Sequence, residues 1–154
     1  LKDAHTTLGH PVQAWPHYDL IKCLDENRPL ESSDYVTRCR TGTLDFRNKM
    51  EISLARLEST YRQQLQRMER GETFHIKVCR AYDEHFVMAD GHHRMAMATY
   101  FEYPNVQFYD CHNILFDTYY MWAFSLIKND RSFERHNQFF KRTFTFHTPP
   151  SETD

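Results

Sequence analysis

The stretch "HFVMADGHHRMAMATYF", His85 to Phe101, leaves the backbone few choices. Its first half carries the residue types that suit a pleated surface. Its second half places small and apolar residues at helical spacing. Gly91 stands alone where one pattern gives way to the other. A strand over "HFVMA" must therefore turn at Asp90-Gly91 straight into a helix that opens at His92 and runs to about Phe101, where "YPN" stops it.

The neighbouring segments extend this unit. "TFHIKVCRAY" alternates and is β-branched, which predicts a strand paired to "HFVMA" through a turn at "DE". "VQFYDC" predicts a third strand. Upstream, "PHYDLIKCLDENRP" reads as a short helix begun near Pro16 and closed by Asn27 and Pro29. Ser33 or Asp34 can cap a brief helix through Cys39, with Gly42 breaking the pattern. From Asn48 to Arg70 the positions Met50, Leu54, Leu57, Tyr61, Leu65 and Met68 form one apolar stripe, a long helix ended by Gly71 as its C-cap.

Downstream, Ile114 to Lys128 and Ser132 to about Lys141 read as aromatic helices, and "HTPPSETD" as a loose polar tail. The expected fold class is α+β (α/β mixed): a small sheet with its motif helix, flanked by N-terminal and C-terminal helices. A single domain over residues 1–148 is expected, with its core at 74–110. The helical N-terminal part covers 17–71, the aromatic helical part 114–141, and a flexible tail 149–154.

A strand-to-helix turn of this kind is a natural anion site. The first N–H groups of a helix have no intrahelical acceptor and the helix dipole is positive there. Gly91 permits an unusual backbone and close approach, Arg94 adds a guanidinium fork, and His92 and His93 add donors. Asp90 does not belong to a phosphate cradle by itself, since its charge repels phosphate. It fits if it holds Mg²⁺, accepts a proton from an attacking hydroxyl, or orients His93 or Arg94; it equally fits as the N-cap of the helix. The histidines can also serve simply to satisfy buried backbone groups. Metal ligation by Asp90, His92 and His93 alone is disfavoured because adjacent residues at a helix start splay apart. In "GTLDFR", Asp45 and Arg47 either complete the pocket or Asp45 caps the long helix. Tyr35, Arg38 and Arg40 can face the same cleft.

"MADGHHRMAMA" resembles the signature of the ParB/sulfiredoxin-like superfamily, in which a strand leads into a D-G-x-H-R or G-x-x-R element at a helix start. The likeness covers roughly Phe74 to Asp110 and is nearest to the "ADGHHR" element of a bacterial group that includes free serine kinases. Sulfiredoxins carry a catalytic cysteine where this chain has His92, which speaks against sulfinic-acid repair. ParB proteins have G-E-R-R; Gly91 and Arg94 fit it, whereas His92 and His93 do not, which speaks against CTP hydrolysis. The kinase-like D-G-x-H-R is satisfied by Asp90, Gly91, His93 and Arg94. The resemblance implies ATP or another nucleotide with Mg²⁺ as cofactors. It also implies an upstream carboxylate that activates the acceptor hydroxyl, for which Asp34, Asp45 and Glu72 are candidates.

The expected function is thus a Mg²⁺-dependent phosphotransferase, a kinase acting on a small hydroxyl-bearing substrate. Asp90, His93 and Asp45 are its catalytic candidates, Gly91, His92, His93 and Arg94 hold the nucleotide, and Asp90 holds the metal. One alternative is a non-catalytic nucleotide- or phosphate-binding module, with the aromatic C-terminal helices engaging a partner or a second copy in a homodimer. Exposed Phe139, Phe140, Phe144 and Phe146 would favour it. Another is a DNA-binding or nuclease protein, against which the formal charge of −2 and the lack of a helix-turn-helix argue.

Arg62, Arg67 and Arg70 read as a solvated helix face. Cys23, Cys39, Cys79 and Cys111 are spread without a CxxC pair, and free thiols are expected. Ile114 to Ile127 is interrupted by Asp117 and falls short of the roughly 20 residues that cross a bilayer. With no signal-peptide pattern, a cytoplasmic protein is expected.

Overall fold

The computed structural model describes residues 10–44, 49–80, 86–110 and 146–147. Within them the chain is of the α+β class. In chain order the elements are α1 (Pro16–Asp25), α2 (Asp34–Thr41), α3 (Leu54–Glu69), β1 (Phe74–Arg80), β2 (Phe86–Asp90), α4 (His92–Tyr100), β3 (Val106–Asp110) and β4 (Phe146–His147), with short 3₁₀ turns at Val12–Ala14 and Leu30–Ser32. The strands form one sheet in the order β2-β1-β3-β4. β2 lies antiparallel to β1, and β3 lies parallel to it, with Ile76 opposite Phe108; a bulge interrupts the β1–β2 register between Lys77 and Val78.

The period-two pattern of β1 is realised as burial. Phe74, Ile76 and Val78 are buried on one face, while His75 and Lys77 are exposed on the other. Met95 of α4 packs on the buried face with Ile76, Val78, Met88, Phe108, Val12 and Trp15. One step along α4, Ala96, Met97 and Ala98 meet Ile21 of α1, Tyr61 of α3 and Phe74. The alanines of "MAMA", Ala96 and Ala98, are what let α4 lie close to its neighbours, since alanine adds little bulk.

α1 and α4 run in the same sense. Their starts meet where His17 stacks on His92, with ring centroids 5.2 Å apart. Their ends are joined by the Tyr100 hydroxyl, which donates to Asp25 Oδ2 at 2.6 Å. Pro16 opens α1, a position where its missing N–H costs nothing.

The local signals around α2 and α3 act as their chemistry requires, with one correction. Ser33 caps α2 by accepting from Val36 N at 3.2 Å, and Gly42 ends it in the left-handed region at φ 73°. α3 starts at Leu54, not at Asn48. Ser53 accepts from Arg56 N at 3.2 Å and holds the chain extended before it, so Met50 joins the apolar cluster from outside the helix. Ser53 therefore takes the capping role considered for Asp45, which itself lies outside the described residues. At the far end Arg70 is the C-cap and Gly71 the residue after it; Gly71 N and Glu72 N bond back to Met68 O and Arg67 O, a Schellman closure. Arg62 and Arg70 are exposed as expected of a solvated face, whereas Arg67 is half-buried over the Phe74 ring; each lies near a carboxylate of Glu58 or Glu72.

His147, expected in the loose tail, pairs with Tyr109 in β4, where β3 offers an open backbone edge. The "DE" turn, the two aromatic helices, and Phe139, Phe140 and Phe144 fall outside the described residues. Cys23 and Cys39 are buried without a disulfide between them, and burial pushes Cys23 up from its ordinary pKa. Among the described residues no helix is long and apolar enough to cross a membrane.

The Tyr100–Asp25 contact gives a direct test of the α1–α4 pairing. Its hydrogen bond to Asp25 raises Tyr100 from the ordinary 10.0 to about 12. The proton is thus held more tightly in the folded state. The stabilisation is complete below the phenol's ordinary value and disappears as pH rises through about 12. Tyr100→Phe should lower the melting temperature at neutral pH by about 1–3 °C, the worth of one exposed hydrogen bond. The difference between the two proteins should vanish at strongly alkaline pH in melts followed by circular dichroism.

Candidate functional site

The turn at Gly91 is built as the sequence requires. Gly91 is the N-cap of α4 with φ 99° and ψ 26°, a left-handed conformation that L side chains rarely adopt. It also sits hard against β1: a Cβ here would lie 3.3 Å from Ile76 Cγ1 and 3.5 Å from Ile76 Cα. Glycine is needed on both counts. Asp90 is not the cap, because it is the last residue of β2 and no side chain caps α4. Its carboxylate reaches forward instead to Arg94 Nη2 at 3.5 Å, a long pairing on an exposed side chain.

Beside this turn lies a cleft of about 840 Å³, within the range that takes small-molecule ligands. α1 and α4 form its floor and α3, with residues 50–53, its opposite wall. All four α-helices among the described residues turn their first turn toward it. α1 contributes His17, α2 Tyr35, α3 its cap Ser53 and Arg56, and α4 the run Gly91 to Arg94. Helix starts carry partial positive charge, so the presence of all four beside this opening favours an anion there.

The floor of the opening is a cluster of rings that only the tertiary fold assembles. His17 is 5% exposed. It stacks on His92 and meets His93 edge-on at 4.9 Å. Tyr35 lies 5.1 Å from His17 and 5.0 Å from His93, and its hydroxyl is 3.3 Å from His93 Nε2. Trp15 tilts against His92 at 5.5 Å. The histidine pair is thus positioned by packing from α1 and α2 together, which fixes where His93 presents its ring. Sequence reading anticipated Tyr35 facing the cleft but passed over His17, whose position inside an ordinary amphipathic helix gives no local signal.

The charged groups sort clearly. Arg94 and Arg56 both line the cleft, and among the described residues no carboxylate pairs with Arg56. Glu51, exposed, is the upstream carboxylate that lines it. Two other candidates are engaged elsewhere: Asp34 binds Arg38 Nε at 2.9 Å, and Glu72 holds Arg67 and Arg70. Neither lines the cleft. Arg38 is accordingly tied to its own helix. Further in, Tyr61 is pushed above its ordinary pKa, mainly by burial and then by Asp25, and presents a neutral phenol.

Among the described residues no group of three or more His, Cys, Asp or Glu could hold a metal ion. A metal here would need ligands from the substrate. Asp90 suits that arrangement, since Mg²⁺ commonly takes one or two carboxylates and completes its shell with phosphate oxygens and water. No protein-family model, curated protein or solved structure matches the chain.

Gly91→Ala tests the turn. The positive φ and the contact with Ile76 should together destabilise the protein by about 1–2 kcal/mol, read as a lower midpoint in urea. An unchanged midpoint would mean that the strand-to-helix corner can relax without cost.

Proposed function

We propose that the chain is a ParB/sulfiredoxin-like phosphotransferase that binds a Mg²⁺-nucleotide in this cleft and phosphorylates a small hydroxyl-bearing substrate. The single observation that carries the reading is the convergence of four helix starts and two arginines on one open cleft that also holds carboxylates. An anion is drawn by the field, and a hydroxyl can be activated within the same opening.

In this reading the phosphates rest on the turn from Gly91 to Arg94. Arg94 forks onto the oxygens of the transferring group, and His93, held by Tyr35, donates to the same group as charge develops on it. Asp90 would hold Mg²⁺ together with the phosphate oxygens, and the ion would neutralise charge on the leaving group. Glu51 takes the role that sequence reading gave to Asp34, Asp45 or Glu72. Its carboxylate accepts the proton of the acceptor hydroxyl as that oxygen bonds to the terminal phosphorus. The bond from phosphorus to the bridging oxygen breaks, and the nucleoside diphosphate leaves with the electron pair. Asp45 keeps its candidacy only as a residue outside the described part.

Isothermal titration calorimetry with Mg²⁺ and ATP, beside a product assay over small alcohols and hydroxy acids, tests this directly. Arg94→Ala should weaken nucleotide binding by about tenfold or more, in line with the loss of a charge-assisted contact. Asp90→Asn and Glu51→Gln should cut turnover by about a hundredfold or more while binding persists. Absence of nucleotide binding to the wild type would end the proposal. Binding without any phosphorylated product would leave a non-catalytic module in its place.

A further inference from the structure

The cleft changes character along the helix axes. Residues in the first helical turns are polar: His17, Tyr35, Arg56, His93 and Arg94. One to two turns further in, the lining is mostly apolar, with Ile21, Leu24, Tyr61 and Met97 beside the polar Thr60 and Gln64. At 1.5 Å per residue, His17 and Leu24 mark ends about 10 Å apart. A bare phosphate would fill the first end alone. The apolar end calls for a flat or apolar body attached to it.

One amide stands in that apolar end. Gln64, on α3, lines the cleft close to Tyr61. Arg67 Nη1 donates to its Oε1 at 3.1 Å. A guanidinium has only donors, so it claims the carbonyl side of the amide and leaves the NH₂ for the cleft. Arg67 is itself steadied by Glu72 at 3.7 Å and by the Phe74 ring, 5.4 Å from its guanidinium carbon. The orientation of the Gln64 amide is therefore fixed from behind.

We infer that Gln64 reads the base of the bound nucleotide, donating from its NH₂ to a carbonyl oxygen or ring nitrogen of a heterocycle seated between α1 and α3. This rests on the nucleotide reading above and adds to it where the base lies and which group selects it. α3 becomes the specificity wall, and α4 the phosphate wall. Leu24 and Tyr61 offer the base apolar surface beside that donor.

The test is calorimetry on the intact chain with Mg²⁺, using tripolyphosphate and, separately, ATP, GTP, CTP and UTP. At least one triphosphate should bind the wild type about tenfold or more tightly than tripolyphosphate. Gln64→Leu should remove about tenfold of affinity from the preferred nucleotide without moving tripolyphosphate. Gln64→Glu, nearly isosteric and able to keep the Arg67 contact but unable to donate, should show the same split. Equal loss for both ligands, or an unchanged ranking of the four nucleotides, overturns the inference. If tripolyphosphate binds and no triphosphate binds more tightly, the base seat is refuted while the anion site stands. If neither binds, the nucleotide reading itself has failed.

Discussion

The same-sense pairing of α1 and α4 is the constraint from which the site follows. Helices laid side by side in one direction align their dipoles, an unfavourable arrangement that packing must offset. Here Ile21 closes against Ala96, Met97 and Ala98, all nearly or fully buried. Burying a side chain of the Ile or Met type contributes about 1.5–3 kcal/mol, which exceeds the repulsion between two screened helix ends. The pairing places the starts of both helices at one edge of the molecule. α2 and α3, packed through Leu20, Tyr35, Leu54 and Leu57, bring their own starts to the same edge. An antiparallel α1 would have put His17 and His92 at opposite ends, and their helix starts would not share one cleft.

Much of the local fold was legible because short-range chemistry dictates it. The alternation of β1, Ser33 and Gly42 around α2, and the pattern break at Gly91 each act within a few residues. The start of α3 was misread because apolar spacing continues smoothly through Met50, and spacing alone cannot see that Ser53 takes Arg56 N. The Asp90 cap failed for a related reason. A strand that pairs to its last residue leaves the cap position to Gly91, and the carboxylate points forward to Arg94.

The candidate site was legible only in part. Asp90 to Arg94 are contiguous, so their proximity is written in the chain. His17, Tyr35, Glu51, Arg56 and Gln64 come from three other places and meet only through tertiary packing. Each looks ordinary where it stands: a polar residue in the first turn of a helix, an acidic residue in a loop, a glutamine on a surface helix. Their common signal is positional. Helix-start residues matter when the fold gathers helix starts, and no local pattern announces that gathering.

Trp15 has a consequence of a different kind. It is 1% exposed, its indole N–H is tied to His10 O at 3.0 Å, and its ring leans on His92 at the edge of the cleft. An indole so shielded emits at short wavelength. With Trp122 replaced by Phe, light from Trp15 would therefore register whether this corner stays packed, an intrinsic optical gauge that needs no added dye.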